Sequence, residues 1–195
     1  MEQPEREWLA QYRQGDVEAL GKLVEEFRRP LFGFILRMTE GRGDADEIFQ
    51  DVWLRVIKNQ DRYTHKSFKS WLFRIAQNLI IDRARKQKPV VDLQAGAKDE
   101  DENVFETRLE DKGLSAVTLI DAKQLGRKIL DAVRTLPEEQ RAVFLMRTEA
   151  DLPFKEIAKV QGTSINTALA RMQYAMAKLR TALQMEYQEL QGTSP

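Results

Sequence analysis

Apolar residues recur at spacings of three and four along most of this chain and nowhere alternate with polar ones over the length of a strand. The pattern predicts an all-helical protein without a sheet. Trp8, Leu9 and Tyr12 predict a short opening helix that stops at Gly15. Asp16 stands as the N-cap of a second helix whose buried stripe is Ala19, Leu20, Leu23, Val24 and Phe27. Pro30 interrupts that helix or opens its continuation, in which Leu31, Phe34, Ile35 and Met38 keep the period. Gly41 and Gly43 mark a turn, and Asp44 is the expected cap of the next helix. There Ala45, Ile48, Phe49, Val52 and Val56 face inward, with Glu47, Gln50, Asp51, Leu54 and Lys58 opposite. After a polar loop over 59–66 the helical pattern returns. Phe68, Trp71, Leu72, Ile75 and Leu79 form its core stripe; Ser70, Arg74, Gln77, Asn78 and Arg85 face out, with Lys69, Phe73 and Arg83 alongside, and Pro89 stops it.

Residues 90–113 break the period. They hold the run DEDEN, two glycines and scattered apolar residues, and read as a flexible acidic linker between two domains. Beyond it a helix over 116–136 carries Leu119, Leu125, Ile129, Val133 and Leu136. Pro137 opens the next, with Glu138 and Glu139 in its first turn and Ala142, Val143, Leu145 and Met146 inward. Two helices then meet at Gly162, a residue suited to a left-handed C-cap. The first places Phe154, Ile157, Ala158 and Gln161 on one side. The second, capped by Thr163 or Ser164, buries Ile165, Ala168, Leu169, Met172, Ala175, Met176, Leu179 and Leu183, and turns out Asn166, Thr167, Arg171, Gln173, Tyr174, Lys178 and Arg180. Helix, glycine turn, and a helix with a polar basic face is the layout of a DNA-reading helix-turn-helix; an αα-hairpin within a bundle fits the same stretch.

Charge sharpens this picture. The 195 residues carry 31 Lys/Arg and 31 Asp/Glu, a formal net charge of zero. Locally the balance shifts: residues 66–88 hold seven basic and one acidic side chain (+6), 90–112 three basic and eight acidic (−5), and 154–186 five basic and two acidic (+3). Local charge governs phosphate binding more than the sum does. Aromatic residues interleaved with the basic ones of 66–88 are the means by which single-stranded nucleic acid is gripped. The absence of cysteine excludes disulfides, thiol nucleophiles and thiolate metal sites, and the one histidine, His65, reads as a loop residue, so an enzyme is not expected. No run of eighteen apolar residues and no secretory signal occurs, so a cytoplasmic protein with no membrane insertion of its own is expected.

Four segments in order, DVEALGKLVEEFRRPLFGFILRMTEGRGDADEIFQDVWLRVIKN, SFKSWLFRIAQNLIIDRARK, LPEEQRAVFLMRTEADLPFKEIAKVQG and TSINTALARMQYAMAKLR, together resemble a bacterial RNA polymerase sigma factor of the extracytoplasmic-function type. The resemblance spans nearly the whole chain. It implies two small helical domains: a region-two domain over 1–89 and a region-four domain over 116–190, joined by the acidic linker 90–115. It implies a subunit with no catalytic chemistry and no cofactor, which binds core RNA polymerase and directs it to promoter DNA, and whose partners include an anti-sigma factor. Asp46, Gln50, Asp51 and Leu54 match the segment that docks on the polymerase clamp. Phe68, Trp71, Arg74, Asn78 and Arg85 match the segment that captures the −10 element, Asn78 standing where an unstacked base is read. Asn166, Thr167, Arg171, Gln173 and Tyr174 match the helix that reads the −35 element. This chain departs from the family there: the usual threonine, valine, basic residue, serine and arginine are Thr167, Ala168, Leu169, Ala170 and Arg171. Two readings from other classes stay open on residues alone. A stand-alone DNA-binding regulator would bind duplex without polymerase, and a helical adaptor would tolerate alanine at Arg74, Asn78 and Arg171.

Overall fold

The structure, a computed structural model, describes residues 4–39, 43–63, 67–86 and 116–192. The linker, His65, Pro89 and the tip of the first glycine turn lie outside them. The described residues contain helices and no strand: α1 Pro4–Arg13, α2 Val17–Met38, α3 Ala45–Asn59, a 3-10 turn Gln60–Arg62, α4 Phe68–Lys86, α5 Ala116–Arg134, α6 Glu138–Thr148, α7 Phe154–Gln161 and α8 Ile165–Gly192. None of these helices is long and apolar enough to cross a membrane.

The first four helices form one bundle. Asp16 caps α2 as expected, its carboxylate accepting from the Glu18 and Ala19 amides at 3.0 and 3.4 Å. Pro30 lies inside α2, which runs through it unbroken. A mid-helix proline costs about 3 kcal/mol, because it removes an N–H and crowds the preceding turn. Leu31, Phe34 and Ile35, all fully buried just beyond it, each return roughly 1.5–3 kcal/mol and outweigh that cost. Phe34 packs on Phe73 of α4 with ring centroids 5.2 Å apart. Phe73 is therefore a core residue and not an outward one, because α2 covers the flank of α4 on which it stands. Trp53 of α3 is likewise buried.

In the second half, α6 is tied to the end of α5 by Arg141, a buried arginine whose Nη2 donates to the carbonyls of Arg134 at 2.9 Å and Leu136 at 3.2 Å. Pro137, expected at the first helical position, stands instead at the N-cap, so α6 starts one residue later, at Glu138. The turn into α8 follows the sequence closely. Gly162 takes φ +63°, its amide and that of Thr163 close the end of α7, and Ser164 Oγ accepts from the Thr167 amide at 3.0 Å.

The two halves pack against each other. α6 lies on α2 and α7 on α4, and their buried residues form one continuous apolar cluster. At the seam Arg37 Nη1 lies 3.7 Å from Glu149 Oε2, both side chains mostly enclosed, and also donates to the Gly33 carbonyl at 3.0 Å. A Cβ on Gly33 would meet Arg37 Nη1 at 2.8 Å, so glycine leaves room for the pair. Across the same seam burial pushes the Glu156 carboxyl up, but hydrogen bonds from Lys159 and Ser70 and the charges of Lys159 and Lys155 outweigh it and hold it below the usual glutamate range.

Candidate functional site

The residues expected to meet polymerase fall on the open side of α3. Asp46 and Gln50 are exposed, and Leu54 is 50% exposed although nothing polar about it calls for water. Asp51, beside them, is half-buried and engaged. Arg83 reaches across from α4, its Nη1 donating to Glu47 Oε2 at 2.9 Å and its Nη2 lying 2.6 Å from Glu47 Oε1 and 3.2 Å from Asp51 Oδ2. Asp44 Oδ2 is 3.8 Å from the same guanidinium. Asp44 makes no capping hydrogen bond, contrary to expectation, and its carboxylate stands instead beside the Arg83 charge. Arg83 thus clamps the acidic edge of α3 to α4, a role invisible in the sequence because the partners lie 32 and 36 residues away.

The clamp has an electrostatic signature. The hydrogen bond from Arg83, and then its charge, hold the Glu47 carboxyl below the usual glutamate range; the same bond raises Arg83 against the opposing effect of burial, with Asp51 adding to it. A lowered folded-state value favours the folded form above the ordinary glutamate range, and the preference is lost as pH falls through the lowered value. Arg83→Gln is expected to return Glu47 to ordinary titration, read by carboxyl-carbon NMR across the acid range. An unchanged Glu47 midpoint in that variant would reject the clamp.

On α4 the expected −10 residues divide. Phe68 is fully buried and lies against Phe27, Tyr63 and Trp71, with ring centroids 5.4, 5.9 and 5.8 Å away. It cannot itself stack on a base in this arrangement, because the α2 packing encloses it; it supports the surface above. Trp71 is half-buried and tilted against Tyr63 at 4.9 Å, an aromatic edge at the start of the helix. Arg74, Asn78 and Arg85 are exposed and run along α4. Ser70 and Gln77, expected on the same outer face, are buried. α7 packs on α4 and brings Glu156 to Ser70. The open strip is therefore Trp71, Arg74, Asn78 and Arg85.

On α8, Asn166, Thr167, Gln173 and Tyr174 are exposed as expected. Arg171 is turned back: Nη1 donates to Gln161 Oε1 at 2.8 Å and Nη2 to Glu139 Oε2 at 2.6 Å. Three residues assigned to the core stripe are instead open, Ile165 at 44%, Leu169 at 38% and Met176 at 46% exposed. Among the described residues of the helix, only Ala168, Ala175 and Leu179 are buried. An apolar stripe is covered only as widely as its neighbours reach, and these three lie on its outer edge.

Comparisons with known proteins bear on the family and the fold. The family model described as Sigma-70 region 2 matches residues 23–90, and that described as Sigma-70, region 4 matches 126–179. The ECF RNA polymerase sigma factor SigW of Bacillus subtilis is 26% identical over 184 residues, covering 94% of this chain and 98% of that relative. The ECF RNA polymerase sigma factor RpoE of Cereibacter sphaeroides is 29% identical, covering 89% and 93%. Among solved structures, CnrH in complex with the cytosolic domain of CnrY shares the fold with a TM-score of 0.67, at 22% identity and covering 94% of this chain and 99% of that one. The sigma factor RpoE in complex with the anti-sigma factor NepR from Bartonella quintana shares it with a TM-score of 0.66, at 18% identity and covering 86% and 98%.

Proposed function

We propose, from the premise that this chain belongs to the sigma-70 family as an extracytoplasmic-function RNA polymerase sigma factor, a division of its work among three surfaces. The chain directs promoter-specific initiation of transcription by RNA polymerase. Residues 1–89 serve as the polymerase-binding and −10 domain, 90–115 as the linker and 116–190 as the −35 domain. The open side of α3, with Asp46, Gln50 and Leu54 and with Asp51 steadied by Arg83, docks on core polymerase. The strip of Trp71, Arg74, Asn78 and Arg85 captures the opened −10 strand, and Phe68 braces it from below. The N-terminal half of α8 enters the major groove of the −35 element.

The observation that carries this is the pair of matched helical units, each with its own exposed polar helix face. Melting a duplex is unfavourable unless the opened strand is trapped, and an aromatic edge beside two guanidiniums and an amide can do that by stacking, charge and base-edge hydrogen bonds. The chain needs no catalytic group for this, since polymerase performs the synthesis, and it works where polymerase does, in the cytoplasm. The two structural neighbours carry a cytosolic domain and an anti-sigma factor; by the same fold, an anti-sigma factor is proposed as a partner here.

Run-off transcription with core polymerase tests the reading. Wild-type protein is expected to give promoter-dependent transcripts, and Asn78→Ala to lower them about tenfold, the loss of one hydrogen-bonded base contact, with core binding retained. Tight duplex binding by the protein alone, with no stimulation of polymerase on any template, would replace this reading with that of a stand-alone regulator.

A further inference from the structure

Between Ile165 and Ala177 the only cationic side chain of α8 is Arg171. Its guanidinium already has two partners, Gln161 of α7 and Glu139 of α6, and the side chain is only 20% exposed. Arginine is the common reader of guanine O6 and N7, and here that fork is spent within the protein. Beside the hydroxyls of Thr167 and Tyr174, the open side of the helix offers two kinds of base-reading group. Asn166 and Gln173, two turns apart and so on one face, are exposed amides. Ile165 and Leu169, one turn apart on a neighbouring flank, are exposed aliphatics.

Both kinds select the same base pair. An Asn or Gln amide pairs bidentately with adenine N6 and N7, and an aliphatic side chain packs on the C5 methyl of thymine; a G·C pair offers neither. Ser164 Oγ caps the helix through the Thr167 amide and meets Thr167 Oγ1 at 2.8 Å, so the end that enters the groove is rigid.

We propose that this factor reads its −35 element as A·T pairs, with Asn166 and Gln173 on adenine and Leu169 with Ile165 on thymine methyls. Arg171 is a positioning residue that locks α8 to α6 and α7. The proposal rests on the reading of α8 as the −35 helix. It accounts for Leu169 and Ala170, which stand where a basic residue and a serine are usual: the change exchanges hydrogen-bond donors for a methyl-reading surface.

The test uses holoenzyme assembled from the full chain and core polymerase. A template library randomised across the upstream segment is transcribed, and the templates that yield transcripts are recovered and sequenced. Recovered templates are then remade with deoxyuridine for thymidine in the upstream window, which removes the methyl and leaves every hydrogen bond. An A·T-enriched window is expected, with about a fourfold loss of transcription per removed methyl, the value for one buried methyl-sized group. The double variant Ile165→Ala/Leu169→Ala should reduce the sensitivity to deoxyuridine while keeping the adenine preference and core binding. Arg171→Ala should lower transcription equally from all recovered templates and leave the base preferences unchanged. Indifference to deoxyuridine overturns the proposal, as does an enriched guanine whose preference disappears in Arg171→Ala. Those outcomes leave the sigma-factor reading intact, whereas a library that yields no promoter-dependent transcript rejects both.

Discussion

Phe68→Ala is expected to lower the unfolding free energy by about 3–5 kcal/mol, the cost of emptying a well-packed aromatic site. For a chain of this length that corresponds to a fall in Tm of roughly 6–20 °C. The ring is completely enclosed and touches Phe27 of α2, Trp71 of α4 and Tyr63 of the preceding turn. Its loss therefore loosens three elements together and removes the brace under Trp71, so transcription should fall with stability. A second variant separates bracing from base contact. Phe68→Leu keeps most of the volume, should cost less than about 1.5 kcal/mol, and should still transcribe. Thermal denaturation followed by circular dichroism, beside run-off transcription, checks both. A Phe68→Ala protein that melts with the wild type would contradict the packing, and a stable Phe68→Leu protein unable to open promoters would return Phe68 to the strand.

Leu54→Glu should do the opposite, leaving the fold alone and removing the partner. Half the Leu54 side chain already meets solvent, so a polar replacement there should change stability by no more than about 0.5 kcal/mol. Gln50 and Lys58, one turn to either side, are exposed as well, and Leu54 is the apolar centre of an otherwise polar face. Covered by a partner, the leucine gains from leaving water, whereas a glutamate there would have to be stripped of it. Affinity for core polymerase is expected to weaken on the order of thirtyfold, the effect of losing a contact of about 2 kcal/mol. Titration of fluorescently labelled protein with core polymerase measures it. Equal affinities for the two proteins would remove α3 from the docking surface.

Much of the chain is legible in its residues, and the reasons are local. The caps Asp16, Gly162 and Ser164 act through bonds within a few residues, and all three make them. The helices of both domains follow their 3.6-residue period closely. Expectation and structure part where a distant group intervenes. Asp44 has the right chemistry for a cap, yet stands by Arg83 from another helix. Ser70 and Gln77 share a face with Arg74 and Asn78, yet both are buried, Ser70 against Glu156 of the second domain. Arg171 lies on the outward side of its helix, yet Glu139, 32 residues earlier, holds it.

Periodicity and capping were thus enough to derive an all-helical chain and its order of helices, while the resemblance to a known family supplied the faces proposed to meet polymerase and DNA. The helices depend on neighbours within one or two turns, which the sequence lists directly. Only tertiary packing decided which edges of each stripe are covered, where Arg83 and Arg171 spend their hydrogen bonds, and that Leu169 and Ile165 face solvent. Those outcomes depend on how far an adjoining helix reaches and which carboxylate it brings, and no spacing along the chain encodes that distance.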